Sequence, residues 1–597
     1  MILKLFRAPV VGLICLLVMS AGHQPARAGR PVAAQLLPSN SLAYVEAPDP
    51  AAAISVIFDH PLRAEIESLD VYRQATTSQP YRDFLTGRKT FEILMGMEWR
   101  PAIEALTAQG IHLAAVPESR GFILLVHGRD EAVMETFRTK ILEMSRMNQA
   151  ESKREREYRG VQLYEINKVG VAVVDEWLVA TNASEAGRFV LDGLLDGVQT
   201  KNLSTNEVFQ QAIATRPETC TAWGFLNLDA VREQPKVQRA LNGQAENPLV
   251  ELIAGGIQST LQKSAFVSGN IQLAPTSLAM TIGSPWNADW IPEERDYYFG
   301  PDHQGTAAPL PQVEQTVLTL STWRNVSEMW LRAGDLFDAN MNDRLAEADA
   351  TLTTLFSGRD FGEDILGSFD PEVGLIVARQ KFDENAPIPA IRLPAFALVL
   401  NQKDPDQTTR ELRRIFQSLI GFVNITGANE GRPQMDLDME KQGDGEIITS
   451  TFQPDSGGRE ADNTAILFNF SPSIGFRGSR TVISSTSGLA REILAAPEPV
   501  ANRAATDDDV QRVNTRLMFH ADVLQNILSD NQEQLIAQNM LSDGHTREEA
   551  ETTINLLLQA IGYVKGANLT LSHDNQSLQL QLRIQTAEGD ADGINGN

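Results

Sequence analysis

Ile111-His-Leu-Ala-Ala-Val116 and Phe122-Ile-Leu-Leu-Val126 are two short apolar runs that lead into Asp130 and a helix-like segment. The same order returns in Val373-Gly-Leu-Ile-Val-Ala378 and Phe396-Ala-Leu-Val-Leu400, followed by Asp404. Short runs rich in β-branched residues predict strands, and an Asp before an apolar-periodic stretch is typical of a helix N-terminus. Each half of the chain is therefore predicted to contain paired strands followed by a helix.

Other features also occur twice in the same order, which indicates internal repetition. Leu37-Pro38 before a strand corresponds to Leu310-Pro311, and each half ends in a long helix and two strands. We interpret these correspondences as a tandem duplication. Because hairpins and helices join the strands, the predicted fold class is α+β, with two tandem, duplicated domains that each pack helices on an antiparallel or mixed sheet.

The predicted domain organisation has five parts. The boundary between the halves is placed where prolines are frequent and no amphipathic period is present. The parts are a signal peptide (1–28), a first α+β repeat domain (29–283), a linker or crossing (284–312), a second α+β repeat domain with a mobile insertion near 424–460 (313–586), and a disordered acidic tail (587–597).

The first residues have the pattern of a secretory signal peptide. Lys4 and Arg7 precede an uncharged, mostly apolar run, and Ala26 and Ala28 provide small residues for cleavage after Ala28. An uncleaved membrane anchor is the alternative, but the apolar run is shorter than the roughly 17 residues that a spanning helix needs. The sequence thus predicts export to the periplasm, the cell envelope or the extracellular space, with no transmembrane segment in the mature chain.

The net charge of the chain limits the classes of partner that it is expected to bind. The 597 residues include 51 Lys and Arg against 77 Asp and Glu, which gives a formal charge of −26. Removal of residues 1–28 would take away three basic residues and no acidic one. Nucleic acids and anionic lipids are bound through Lys and Arg, so this charge argues against both.

The cysteines predict no disulfide within the mature chain. Cys15 lies inside the signal, and Gly12-Leu13-Ile14 before it lacks the small residue expected directly before a lipoprotein cysteine. Cys220 is then the single cysteine, and the apolar run that follows it predicts a buried, inert thiol.

Several motifs together carry a family resemblance. They are Leu42-Ala-Tyr-Val45, Tyr297-Tyr-Phe-Gly-Pro301, Leu393-Pro-Ala-Phe-Ala-Leu-Val399, Asn469-Phe-Ser-Pro-Ser473 and Ser484-Ser-Thr486. With the export signal, the chain resembles an uncharacterised family of large exported bacterial proteins, known as a domain of unknown function. The resemblance would cover nearly the whole mature chain, and it implies no activity and no site residues.

His112 and His127 are the candidate metal ligands. If Pro117 and Phe122 close the hairpin, residues whose numbers add to 239 oppose each other, and the two imidazoles face across the ladder. A zinc site needs three or four protein ligands, and the local sequence offers no third one. A solvated or hydrogen-bonded pair of histidines is the competing interpretation, and the sequence predicts no cofactor.

Other catalytic motifs are incomplete. Asp455-Ser-Gly-Gly458 is similar to the segment around the nucleophile of trypsin-like proteases, but the segments that would supply the histidine and the buried aspartate are missing. Phosphate-binding glycine loops are absent, and the acidic clusters, among them Asp507-Asp-Asp509, do not have EF-hand spacing.

Three hypotheses for function follow. The leading one is a non-enzymatic interaction or structural protein of the periplasm or cell envelope, with an envelope or secreted protein as partner. The second is a hydrolase without a known motif, whose acids are drawn from candidates such as Asp360, Glu363 or Asp370. The third is a two-lobed solute-binding protein. Oligomeric state and ligand stay open.

Overall fold

The computed structural model describes residues 32–60, 62–68, 70–117, 120–142, 156–166, 168–356, 358–382, 388–429, 433–453, 465–498 and 511–587. These residues form two compact units. Unit 1 contains residues up to 240 together with 264–285, and unit 2 contains 241–263 and 286–587. The predicted signal peptide and all but the first residue of the predicted acidic tail lie outside the described residues.

Unit 1 contains ten strands in one antiparallel order. The order is β4–β5–β6–β7–β3–β2–β1–β8–β9–β10. The strands are β1 Ala43–Ala47, β2 Ile111–Val116, β3 Gly121–His127, β4 Arg156–Tyr158, β5 Val161–Ile166, β6 Val169–Val174, β7 Trp177–Thr181, β8 Ala222–Asn227, β9 Phe266–Ala274 and β10 Ser277–Pro285.

Helices of unit 1 pack on both faces of this sheet. One face packs against α1, α8 and α9, and the other against α5, α6 and α7. Asp130 accepts a hydrogen bond from the Val133 amide, which confirms it as the cap of α7. The helices are α1 Ala33–Leu36, α2 Pro50–Phe58, α3 Arg63–Ser68, α4 Asp70–Thr77, α5 Gln79–Met95, α6 Trp99–Leu106, α7 Glu131–Phe137, α8 Ser184–Asp196, α9 Glu207–Ile213, α10 Leu228–Val231 and α11 Pro235–Asn242.

Unit 2 also contains ten strands in one antiparallel order. The order is β14–β15–β16–β17–β13–β12–β11–β18–β19–β20. The strands are β11 Thr316–Trp323, β12 Phe369–Ala378, β13 Ala395–Gln402, β14 Met435–Gln442, β15 Gly445–Phe452, β16 Ser473–Arg477, β17 Arg480–Ser484, β18 Arg512–His520, β19 Val564–His573 and β20 Ser577–Thr586.

The sheet of unit 2 is also covered by helices on two faces. Leu412, Phe416 and Ile420 recur every four residues on α17, as a helix with one apolar stripe requires, and pack on one face. Helix α18 packs on the other face. The helices are α12 Pro248–Lys263, α13 Asp296–Phe299, α14 Val326–Leu331, α15 Ala333–Leu336, α16 Ala339–Leu355, α17 Pro405–Asn429, α18 Ser487–Ala495, α19 Ala521–Asp530, α20 Gln532–Asp543 and α21 Arg547–Gly562.

Helices packed on antiparallel sheets confirm the predicted α+β class. The ten strands also follow the same order in both units when β11 is matched to β1, β12 to β2 and so on to β20 and β10. This agreement supports the tandem duplication, which we retain as a proposal.

Two segments differ from their sequence interpretation. The segment near 424–460, expected to be a mobile insertion, contains the end of α17 and the hairpin β14–β15 within its described part. The expected crossing 284–312 contains the unit boundary after Pro285, but its residues from Trp286 onward belong to unit 2. Tyr297, Tyr298 and Phe299 are fully buried there.

Candidate functional site: buried histidine and carboxylate clusters

The hairpin β2–β3 places His112 and His127 differently from the expected register. Observed partners are Ile111 with Val126 and His112 with Leu125, so the partner numbers add to 237 and not 239. The expected direct opposition of the two histidines is therefore wrong. The loop closes at Val116 and Gly121, so it has the expected length of four residues but lies one residue nearer the N-terminus than the sequence suggested.

His112 belongs to a hydrogen-bonded network at the end of the unit 1 core. Glu46 lies opposite His112 in the β1–β2 ladder. The Tyr44 hydroxyl donates to Oε2 of Glu46 at 2.8 Å and lies 2.9 Å from Nδ1 of His112. Arg216 forms an ion pair with the other oxygen of Glu46. Because Tyr44 has one proton, which Glu46 accepts, His112 donates its Nδ1 proton to the tyrosine oxygen.

His127 lies beside the same network, next to Trp177. Its ring stacks on the indole with the ring centroids 3.8 Å apart, and His112 lies 6.2 Å from the same indole. Nε2 of His127 is 3.5 Å from Oε2 of Glu176. Both histidines thus have an aromatic and a carboxylate neighbour.

Burial keeps His112 neutral. Its pKa is lowered to about 4, chiefly because burial disfavours the imidazolium, while the Glu46 carboxylate opposes this shift. Burial, and then the charge of Glu46, raise the pKa of Tyr44 well above its ordinary value. Near pH 7 the network therefore contains a neutral imidazole and a neutral phenol beside the ion pair of Glu46 with Arg216.

The two histidines do not gain a third metal ligand. No group of three or more His, Cys, Asp or Glu side chains is arranged to hold a metal ion within the described ranges. The network instead joins β1, β2 and the segment that carries Arg216, and this arrangement favours the interpretation as hydrogen-bonded core histidines.

Cys220 lies in the main core of unit 1, as the sequence predicted. Its side chain is buried, and burial raises the pKa of the thiol. A protonated, buried thiol is a poor nucleophile.

The candidate acids of the hydrolase hypothesis do not belong to any group of three that could hold a metal ion within the described ranges. Asp360 accepts a hydrogen bond from the Glu363 amide at 2.6 Å and so caps the turn that follows it. Asp370 lies on β12 near Glu372. Burial raises the pKa of Glu372, and the negative charge of Asp370 adds to this effect. The motif Asp455-Ser-Gly-Gly458 and Asp507-Asp-Asp509 lie outside the described residues.

Unit 2 contains a buried ion pair that the sequence interpretation missed. Arg295 forms two hydrogen bonds with the Glu251 carboxylate on α12, from Nε at 2.7 Å and from Nη2 at 3.1 Å. The Tyr297 hydroxyl lies 2.9 Å from Oε1 of Glu251. A Cβ at Gly255 would lie 2.3 Å from that hydroxyl, so glycine is required for this approach. The doublet Gly255-Gly256 was the available sequence signal.

Arg324 forms a second buried cluster in unit 2. Its guanidinium lies over the Tyr298 ring, 3.5 Å from the centroid. Nε donates to the Leu252 carbonyl at 2.8 Å, and Nη1 donates to the side chain of Asn514. Burial lowers the pKa of Arg324. The contacts of this cation are thus within the core.

A third cluster of unit 2 contains buried polar atoms without a hydrogen-bond partner among the described residues. They are Nε1 of Trp286, Nδ1 of His303 and both ring nitrogens of His573. The Trp286 ring lies 4.7 Å from the His573 ring and 5.7 Å from the His303 ring, measured between centroids. The pKa of His573 is lowered to about 4, first by burial and then by the charge of Arg512.

Comparisons with known proteins give no family for the chain. Neither a family model nor a curated protein matches it. Among solved structures, crystal form I of TP0453 has 12% identity over 44% of this chain and 81% of that chain, with a TM-score of 0.24. Crystal form III has 10% identity over 43% and 80%, with a TM-score of 0.23. At these TM-scores the similarity carries no inference about function.

Proposed function

We propose that the chain is an exported, non-enzymatic interaction or structural protein of the periplasm or cell envelope. The observations that carry this proposal are the pair of ten-stranded antiparallel arrangements with one shared order and the exposed apolar side chains on α12 and α17. Two of the buried charged clusters, around Glu46 and Glu251, link neighbouring segments of the chain through internal ion pairs. We infer that these clusters hold the elements of each unit in place.

Exposed apolar side chains support an interaction role. Phe422 and Ile425, near the end of α17, are 57% and 68% exposed. Leu249, Val250 and Ile253 form a second exposed group at the start of α12. Scattered exposed apolar residues are ordinary, but groups of them on one helix turn are typical of surfaces that bind a partner.

Export is supported by the residues at the start of the chain. We propose cleavage near Ala28, after which the mature chain would carry 48 basic and 77 acidic residues. No helix in the described part of the chain is long and apolar enough to cross a membrane.

Two measurements test this proposal. The intact mass of the protein in the periplasmic or envelope fraction is expected to correspond to a chain without residues 1–28, and a full-length chain in the cytosol would contradict export.

A photo-cross-linking amino acid in place of Phe422 is expected to give one discrete protein adduct in cells. Substitution at Asp343 on α16, an exposed position without neighbouring apolar residues of this kind, is the control. The absence of any adduct at Phe422 and at Ile253 would contradict the interaction role.

A hydrolase remains a second candidate because of Glu372. A carboxyl whose pKa is raised by burial and by a neighbouring acid is suited to proton donation. Purified mature protein would be assayed on ester, phosphate and glycoside substrates. Glu314→Gln, which changes an exposed acid, is the control. Turnover that is lost in Glu372→Gln and kept in this control would favour the hydrolase function.

A further inference from the structure

Strand β14 lies at the edge of its sheet, and its outer side has no neighbouring strand among the described residues. Among the described residues it pairs only with β15, in the register Met435 with Phe452 through Gln442 with Gly445. The Gln453 amide donates to the Gln434 carbonyl at 2.9 Å, one position before β14. Backbone groups alternate in direction along an antiparallel strand, so even-numbered residues bond to β15 and odd-numbered residues point away from it.

The outward backbone groups are only partly satisfied. Asn424 of α17 bonds both the amide and the carbonyl of Met435 at 2.8 Å. The Met439 amide donates to the Asp438 side chain at 2.8 Å. Within the described ranges, the amides and carbonyls of Leu437 and Lys441 and the Met439 carbonyl have no hydrogen-bond partner. An edge strand with open groups of this kind is a template for an added strand.

The side chains of β14 define what kind of strand would fit. Asp436 and Asp438 are exposed on one face. Asp436 accepts a hydrogen bond from the Gln453 side chain at 2.6 Å, and neither carboxylate forms an ion pair with a described residue. Leu437 and Met439 alternate with them on the other face, 43% and 50% exposed. The exposed Phe422 and Ile425 lie within two positions of Asn424, which meets the start of the strand.

We propose that β14 receives an extended segment of a partner protein that alternates Lys or Arg with apolar residues. The added strand would bond to Leu437, to Lys441 and to the Met439 carbonyl, which leaves the acids at non-hydrogen-bonded positions, where cross-strand side chains are closest. Its basic side chains would face Asp436 and Asp438, and its apolar side chains would lie beside Leu437 and Met439.

A second copy of this chain does not fit the same edge. Antiparallel pairing of two β14 strands would place Asp436, Asp438 and Glu440 of the two copies opposite one another. Directly opposed like charges destabilise a ladder. The negative charge of β14 therefore favours a basic strand from another protein over a second copy of this chain.

The experiment measures binding of a fluorescent Lys-Val-Lys-Val-Lys-Val peptide to the mature full-length protein by anisotropy. Saturable binding is expected, with no binding of the corresponding Glu-Val peptide. The double substitution Asp436→Lys/Asp438→Lys reverses two charges. It is expected to weaken the affinity for the Lys-Val peptide by about 2- to 30-fold and to create binding of the Glu-Val peptide. Asp343→Lys/Glu347→Lys on α16, with the same charge change, is expected to leave both affinities unchanged.

A second variant tests the backbone contacts. Leu437→Pro removes an outward amide that β15 does not use, so the fold is expected to persist and binding to be lost. Circular dichroism of the variant checks the fold. Absence of saturable Lys-Val binding, or equal binding by folded Leu437→Pro, would overturn the inference. This inference rests on the proposed interaction function. If wild type and Leu437→Pro captured a partner equally in cells, strand addition at β14 would be refuted while the interaction function would stand.

Discussion

Because His573 is buried, we expect unit 2 to lose stability as the pH falls. The side chain is 1% exposed, and neither ring nitrogen has a hydrogen-bond partner among the described residues. Its pKa is lowered to about 4, so the folded protein holds His573 neutral where an unfolded chain would protonate it. The pKa of a histidine in an unfolded chain is about 6.5. At pH values between this pKa and that of His573 in the folded protein, the unfolded state binds more protons, so the stability of the fold falls as the pH falls.

The magnitude follows from these two pKa values. Lowering the pH from about 7.5 to about 5 costs about 2 kcal/mol, because most unfolded chains and few folded ones are then protonated at this group. The equilibrium constant for opening rises by about 30-fold in consequence. His573→Phe replaces the imidazole with an apolar ring of similar shape, so the variant is expected to lose this part of the pH dependence and to be at least as stable as wild type near pH 7.

Hydrogen exchange of the β19 amides, corrected for the intrinsic effect of pH, measures this free energy of opening within the intact protein. The matched control is His520→Phe, a change of an exposed histidine on the neighbouring β18. Equal losses of protection in wild type and His573→Phe between the two pH values would refute the titration. A His573→Phe protein much less stable than wild type near pH 7 would show that the ring nitrogens are hydrogen-bonded in the native protein.

Three further predictions concern core residues. Arg295→Met leaves the Glu251 carboxylate buried without its partner and is expected to destabilise unit 2 by about 3 to 5 kcal/mol in exchange measurements, whereas the added change Glu251→Gln restores part of the loss. Gly256→Ala would place a Cβ 2.4 Å from the Tyr298 ring, and a loss of about 1 to 3 kcal/mol is expected; a neutral result would show that the ring moves freely. The Cys220 thiol is expected to react with a thiol reagent only when unit 1 is denatured, and rapid labelling of the native protein would contradict its burial.

The strands were predictable because their signal is local. Runs of β-branched residues marked β2 over Ile111–Val116 and most of β3 over Gly121–His127. Their register was not predictable, because it depends on the loop. Arg120 adopts a left-handed backbone with φ of 55°, and β3 begins to pair at Gly121, one residue before the expected Phe122. A non-glycine residue in this conformation has no clear sequence signal.

The buried clusters were not predictable because their partners are distant in sequence. Tyr297 and its neighbours have no amphipathic period, and they are core because Gly255 and Gly256 permit close approach. Strand β14 was missed for a different reason. Its alternating acids have the composition of a loop, and an exposed edge strand needs few apolar residues to pair on one side.

The most direct test of the interaction function is native mass spectrometry of the assembly isolated without denaturation from the envelope fraction. We expect the mass of the mature chain plus one protein partner in fixed stoichiometry. A mature chain without a protein partner, carrying a metal ion or a small molecule at near-unit occupancy, would contradict it.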